Sequence, residues 1–245
     1  MKQLHFSVRK HAVWPLVLAL EESWHEGVPA FAENVVEPAL RVMPAMLRRR
    51  TNFTGKMALE VAFECLGQLQ NVPVVFCSRH GEVERSVSML TDKAQGEPVS
   101  PMAFSLSVHN AVAGLFSIAR SDHAPAMAIA AQQDVVENAV IEACSLLNDG
   151  ATSVLLVVYD NRLPLIYRGF EDEAARPFAW AWLMEKPQYD VLSLSWQDAK
   201  KHDFPCIQKS ATLRPLDILR FYLQGEKCLS YTSDRRAWCW ERYAQ

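Results

Sequence analysis

Two stretches of this chain offer no polar face at all: Val72-Pro-Val-Val-Phe-Cys77 and Val154-Leu-Leu-Val-Val-Tyr159. A strand apolar on both sides is stable only inside a sheet covered by helices on each face, because either face left in water would expose hydrocarbon. The segments around these runs supply such helices. Residues 55–69 carry Met57, Val61 and Leu66 at helical spacing, and 38–50 reads the same way. Further expectations are a strand over 3–13, a helix from Pro15 to Trp24 starting on proline, and helices over 80–94 and 101–119. A strand over Ala126–Ala131 follows, then a helix from Asp134 to Leu147 that stops at Asn148-Asp149-Gly150. Helices alternating with buried strands predict a single α/β domain over 1–245. Beyond Pro164 the pattern changes to longer strands, expected at 163–170, 178–185 and 189–197, and a helix over 215–224. Residues 166–245 would thus extend the sheet or add a layer to it.

Composition narrows the function classes. Half of the 245 residues are hydrophobic, 22% are charged and the formal net charge is −3, so no basic excess points to nucleic acid or an anionic membrane. Arg48-Arg49-Arg50 is too short a run to alter that and reads as a solvated helix end. The apolar run from Ala12 to Leu20 has nine residues, includes Pro15 and meets Glu21-Glu22 directly, which predicts neither a membrane span nor a cleaved leader but a cytoplasmic chain. Cysteines 65, 77, 144, 206, 228 and 239 form no CxxC pair, so no zinc site, no disulfide framework and no metal or cofactor is expected.

Two local motifs invite chemistry. Arg79-His80-Gly81 after the first apolar strand reads like the signature of histidine phosphatases, where a strand-end histidine is phosphorylated and arginine binds the phosphoryl oxygens. That alternative, a phosphomonoesterase, needs a second histidine, and His109, His123 and His202 each sit away from the end of a buried strand. Cys77 with His80 could form a thiol nucleophile, against the plainer reading of a buried cysteine beside a helix start. At the C-terminus, Arg235-Arg-Ala-Trp238-Cys-Trp240-Glu-Arg242 mixes arginine with tryptophan as single-strand binders do. The preferred reading is an alternating edge strand with Trp238 and Trp240 on one face; an acidic carrier protein docking on these arginines is a further option.

Residues 98–160 carry a stronger signal. Pro98-Val-Ser-Pro-Met-Ala-Phe-Ser-Leu-Ser-Val-His-Asn110-Ala-Val-Ala-Gly114, Met127-Ala-Ile-Ala-Ala-Gln-Gln133, Leu147-Asn-Asp-Gly150 and the strand to Tyr159-Asp160 resemble the N-terminal half of a β-ketoacyl synthase, best over 72–165. The resemblance implies a thiolase-like fold in which a nucleophilic cysteine opens the helix after the 126–131 strand. Counting nineteen on from Gly114, or seventeen back from Gly150, the family spacing lands on residue 133. That residue is glutamine, which cannot be acylated. Gln133 is similar to what chain-length factors carry, and the length and wording resemble the short chain-length-factor-like subunit of aryl polyene clusters. Val157-Val158 replaces the family's glycine pair, and 165–245 holds no His-Gly-Thr or Asn-Ser-x-Gly segment for the catalytic histidines.

What the resemblance then implies is a silent subunit paired with a catalytic ketosynthase, with acyl carrier protein reaching it through the complex. The partner contact would use the strand of Met127, Ala128, Ile129, Ala130 and Ala131, with Asn110 beside it, and the helices over 80–94 and 101–119. A chain-length gate would be formed by Met102, Ala103 and Phe104, backed by Val83 and Val87.

Overall fold

The apolar runs become neighbours in one sheet. The computed structural model describes residues 2–16, 24–25, 28–29, 36–171, 176–200 and 214–243. Its strands are β1 (Lys2–Trp14), β2 (Trp24–His25), β3 (Val28–Pro29), β4 (Val74–Cys77), β5 (Ala126–Ile129), β6 (Ser153–Asp160), β7 (Phe178–Glu185), β8 (Val191–Asp198), β9 (Cys228–Thr232) and β10 (Arg236–Tyr243). The helices are α1 (Ala45–Arg48), α2 (Phe53–Leu66), α3 (Val83–Ala94), α4 (Pro101–Ser105), α5 (Ala111–Arg120), α6 (Val135–Asn148) and α7 (Arg214–Leu223). Eight strands pair in the order β5-β4-β6-β7-β1-β8-β10-β9, and β2 and β3 form a separate ladder. β4 runs parallel to both β5 and β6, while the remaining pairings in the large sheet are antiparallel.

Alternation along the central strands sends side chains into two cores. Val74 and Phe76 of β4, Leu155, Val157 and Tyr159 of β6, and Ala179, Ala181 and Leu183 of β7 meet α2 and α5. Val75 and Cys77, Val154, Leu156 and Val158, and Trp180, Trp182 and Met184 face α6 and α7. Every residue of β6 before Asp160 is buried, as a strand covered on both sides requires.

The C-terminal strands extend the same sheet and also close its second face. β1 pairs with β7 through Ser7–Trp14 and with β8 through Lys2–Phe6, with a register shift between Val8 and Lys10. Such an irregularity bends a strand, and beyond it β8, β10 and β9 share one core with α6, α7 and β7. The Trp182 and Trp240 rings lie 6.4 Å apart across that core, nearly perpendicular.

Several elements differ from the sequence expectation. The helix expected over 101–119 is split at Leu106–Asn110, where the Ser105 and Ser107 hydroxyls donate back to the carbonyls of Met102 and Phe104 and compete with the helical ladder. Residues 165–170 form a 3-10 helix begun by Pro164, not a strand. Over 38–50 only α1 is helical, and of the helix expected over 15–24 residues 17–23 lie outside the described residues. β10 lies inside the sheet between β8 and β9, so the C-terminal tryptophans are not on an edge. Cys65, Cys77, Cys144 and Cys239 are buried, but Cys228 is disulfide-bonded, against the expectation drawn from cysteine spacing.

The tryptophan contact joins the two arms of the bent sheet. Trp240→Ala is therefore expected to cost about 3–5 kcal/mol, lowering the midpoint of thermal unfolding by roughly 10 °C. Leu165→Ala, at a side chain 79% exposed, should leave the midpoint unchanged in the same calorimetric measurement.

Candidate functional site

The parallel strands β4, β5 and β6 all end on the same side, at Cys77, Ile129 and Asp160. The loops that leave them meet there. Asp160 organises the first: its carboxylate accepts hydrogen bonds from the Ser78 hydroxyl at 2.7 Å, from the Arg79 N–H at 3.0 Å and from the His80 N–H at 3.2 Å. Ser78 Oγ in turn accepts from the Gly81 N–H at 2.7 Å, closing a turn. Burial pushes the Asp160 carboxyl above the ordinary carboxylate range, opposed by the Arg79 N–H, the Ser78 hydroxyl and the charge of His80.

This turn accounts for Arg79-His80-Gly81 without phosphoryl chemistry. Gly81 has φ of 54°, and a Cβ there would stand 2.6 Å from His109 Cδ2. The His109 ring is fixed by its Nε2, 2.9 Å from the Ser78 carbonyl oxygen. His123 is exposed on the far side of α5, and His202 lies outside the described residues. The second histidine that reaches this turn, His109, has its Nε2 engaged by the Ser78 carbonyl, and the phosphomonoesterase alternative is not supported. The thiol reading fails as well. Cys77 is fully buried, its Sγ donates to the Val135 carbonyl at 3.3 Å, and burial pushes its thiol well above the usual range.

Between β5 and α6 the chain makes a single 3-10 turn, Gln132–Asp134. Gln132 takes the left-handed conformation, φ 49°, and it and Gln133 are both exposed. They line a polar cavity of about 550 Å³ together with Arg79, Asn138, Ser233 and Arg236. The wall formed by the β9–β10 turn is tied down by Ser233, whose hydroxyl donates to Asp134 at 2.8 Å. Asn138 Nδ2 donates to the Asp134 carbonyl at 2.7 Å. A helix N-terminus of this kind stabilises a thiolate where one is present. Here the turn offers carboxamides, which hydrogen-bond but do not accept acyl groups, and no cysteine of the described residues lines the cavity. The contribution of Ser233 had no signal in the sequence, since it depends on the sheet bending far enough to bring β9–β10 to α6.

The other expected site residues fall on β5, α3 and α4 and at the start of α5. β5 is the terminal strand of the sheet, bonded to β4 alone. Met127, Ala128, Ile129 and Ala131 are half-buried and Ala130 is exposed. Asn110 is exposed at the start of α5 and makes no side-chain cap bond. α3 and α4 bury no residue at all. Val83, Val87 and Ala103 are half-buried, while Met102 and Phe104 are 53% and 61% exposed. Leu90 and Ile118 add further exposed hydrocarbon on α3 and α5. Large exposed apolar side chains and an open strand edge are each features that proteins cover with another chain.

At the C-terminus the tryptophans are no stacking platform, for Trp238 and Trp240 are fully buried. Arg242 pairs with Asp190, whose carboxyl is held below its ordinary range by that hydrogen bond. Among the described residues no three metal-ligating side chains cluster, and no helix is long and apolar enough to cross a membrane.

Comparison with known proteins agrees with this geometry. The model of the beta-ketoacyl synthase N-terminal domain matches residues 21–241, and the chain belongs to that family. Among solved structures, it is similar to a chain of "Ketosynthase (ApeO) in Complex with its Chain Length Factor (ApeC) from Xenorhabdus doucetiae", with a TM-score of 0.81, 26% identity, and coverage of 98% of this chain and 100% of that one. The ishigamide ketosynthase/chain length factor matches at a TM-score of 0.61 and 11% identity, covering 82% and 83% of the two chains. A beta-ketoacyl synthase from Burkholderia phymatum STM815 matches at 0.50 and 11%, covering 80% of this chain and 58% of that one. No curated protein matches the sequence. The thiolase-like fold is thus that of a ketosynthase-like subunit.

Two substitutions test the strand-end turn. Gly81→Ala should destabilise the chain by about 1–3 kcal/mol, from left-handed backbone strain and the His109 contact. Gly114→Ala, in open space on α5, should stabilise it by about 0.5–1 kcal/mol; urea unfolding of the isolated chain checks both. Because the Asp160 pKa is raised on folding, the folded state holds this proton more tightly, and the site loses stability as pH rises through and above 3.8. The stability of Asp160→Asn relative to the unaltered chain should therefore improve from pH 4 to pH 7 in the same assay.

Proposed function

We propose that this chain is a catalytically silent chain-length-factor subunit that pairs with a ketosynthase and limits the length of the acyl chain its partner builds, in aryl polyene biosynthesis. The observation that carries the reading is the full-length match to a chain of a ketosynthase–chain length factor complex. The turn between β5 and α6 supports it. Gln133 stands where the family spacing puts the nucleophile, and its left-handed neighbour Gln132 is a carboxamide too, so neither residue of the turn can form an acyl-enzyme. Turnover then belongs to the partner, and acyl carrier protein reaches this subunit only through the complex.

Pairing would use the open edge of β5. Main-chain hydrogen bonds across that edge set register, while α3, α4 and α5 supply apolar area on either side. The small side chains of Ala126, Ala128, Ala130 and Ala131 allow close backbone approach. The role in chain length follows from the exposed arm: Met102, Ala103 and Phe104, with Val83 and Val87 behind them, would present bulk to the far end of the partner's acyl tunnel. A growing chain that must displace packed side chains meets a cost of about 1–3 kcal/mol, enough to shift where extension stops.

Co-expression with the neighbouring ketosynthase should yield a 1:1 complex. Ala128→Lys, which places a charge in the middle of the open edge, should weaken that complex at least tenfold while the isolated chain stays folded. Within the complex Ala103→Phe should shorten the polyene, read by mass spectrometry of the products. Product length unchanged across a bulk series at 83, 87 and 103 would remove the gate. Acylation of the isolated chain by a fatty thioester would remove the silent role.

A further inference from the structure

The arm formed by α3 and α4 lacks a core of its own. Neither helix buries a residue, and they pack against each other. Segments with so few buried contacts open easily unless something fixes their root. The root of this arm is Glu82. It is 4% exposed, and its Oε2 accepts from Asn52 Nδ2 at 2.8 Å and from Arg85 Nε at 3.2 Å. Each of those partners is anchored separately. Asn52 Oδ1 caps α2 by accepting from the Gly55 N–H at 2.9 Å, and Arg85 also donates to the Arg50 carbonyl at 3.1 Å. One carboxylate oxygen therefore joins the first turn of α3 to the start of α2, the helix most deeply packed on the sheet. At the other end of the arm no charged group among the described residues ties it down: half-buried Leu106 packs against the α2–α5 core, and the Ser86 hydroxyl donates to the Ser107 carbonyl within the arm at 3.4 Å.

We propose that Glu82 is the positioning residue that seats the α3–α4 arm on the body of the domain. Resting on the chain-length reading above, this seating is what would hold Val83, Val87, Met102, Ala103 and Phe104 at one fixed distance from a partner's tunnel. An arm with no buried residue could otherwise yield to a growing chain, and a gate that yields cannot set length. Asn52 has a double duty in this arrangement, since the same side chain starts α2 and holds Glu82. The remaining Glu82 oxygen and the Tyr159 hydroxyl are buried without hydrogen bonds among the described residues. Burial holds the Glu82 carboxyl above the usual carboxylate range, against the pull of Arg85 and Asn52. A neutral glutamine should therefore replace it with little loss, because its amide oxygen can accept the same two hydrogen bonds.

The experiment is hydrogen exchange on the full chain, following peptides from 83–108 beside peptides from 135–160. In Glu82→Ala the arm should exchange at least tenfold faster while 135–160 keeps its protection, and Glu82→Gln should restore most of the arm's protection. Asn52→Asp is the second variant. It still caps α2 but sets a carboxylate against Glu82, and it should loosen the arm as Glu82→Ala does. Arm protection unchanged in both Glu82→Ala and Asn52→Asp overturns the proposal, and so does equal loss of protection in the arm and in 135–160. The same variants in complex with a ketosynthase separate the two readings: an arm loosened with product length unaltered leaves the seating in place and removes the gate.

Discussion

The dry interior of β6 and β7 is the constraint from which the rest of this structure follows. Both strands are buried on both faces, so each face of the sheet must be covered within reach of them. α2 and α5 cover one side, through side chains as small as Ala58, Ala62, Ala179 and Ala181 that let helix and sheet come close. The other side needs more material than α6 can provide. The chain meets that need by bending at β1 and bringing β8, β10 and β9 back, so that Trp238 and Trp240 of β10 join Trp180 and Trp182 of β7, all fully buried. The second face of the sheet is thereby covered by the chain's own C-terminal strands.

That closure stops short of β5. The edge strand has four residues, one neighbour and partly solvated side chains, and Leu90, Met102, Phe104 and Ile118 of α3, α4 and α5 are exposed as well. Soluble proteins usually blunt such an edge with charge or proline. Here Pro125 precedes the strand and the residues within it are alanine, methionine and isoleucine, which leave the edge open along its length.

Much of this was legible in the residues, for reasons that differ by element. β4 and β6 were readable because a strand buried on both sides has no freedom to be polar; β7 was legible as a strand, but its burial on both faces comes from the returning C-terminal strands. α6 was readable because Asn148-Asp149-Gly150 marks its end, with Gly150 at φ 113° stopping it. The 163–170 segment misled because Leu165, Ile166 and Phe170 are apolar yet exposed; periodicity reports hydrocarbon, and burial by this chain is only one use of it. β9 was missed because Cys228-Leu-Ser-Tyr-Thr is short and acquires its meaning only beside β10. Arg79-His80-Gly81 misled for another reason. A glycine required by a left-handed turn against His109 is spelled the same way as a glycine required by a phosphate. The cavity at Gln133 lay beyond sequence reasoning, since its far wall comes from a hairpin some hundred residues later.

A turn that presents carboxamides, as 132–134 does, makes different demands from one that holds a thiolate. In a catalytic subunit the backbone N–H groups at that helix start serve a thiolate, and a charged sulfur there rewards a precise, dry setting. Carboxamides need no such setting. They are polar without being ionised, so they can remain exposed at the mouth of a solvated cavity, as Gln132 and Gln133 do. On the proposed reading, the demands on the fold would move away from the strand ends and toward the surfaces that meet another protein. The distribution of order in this chain fits such a shift: two closed cores and an Asp160-centred turn that fix the strand ends, and beside them an open edge and an arm held at its root by one buried carboxylate.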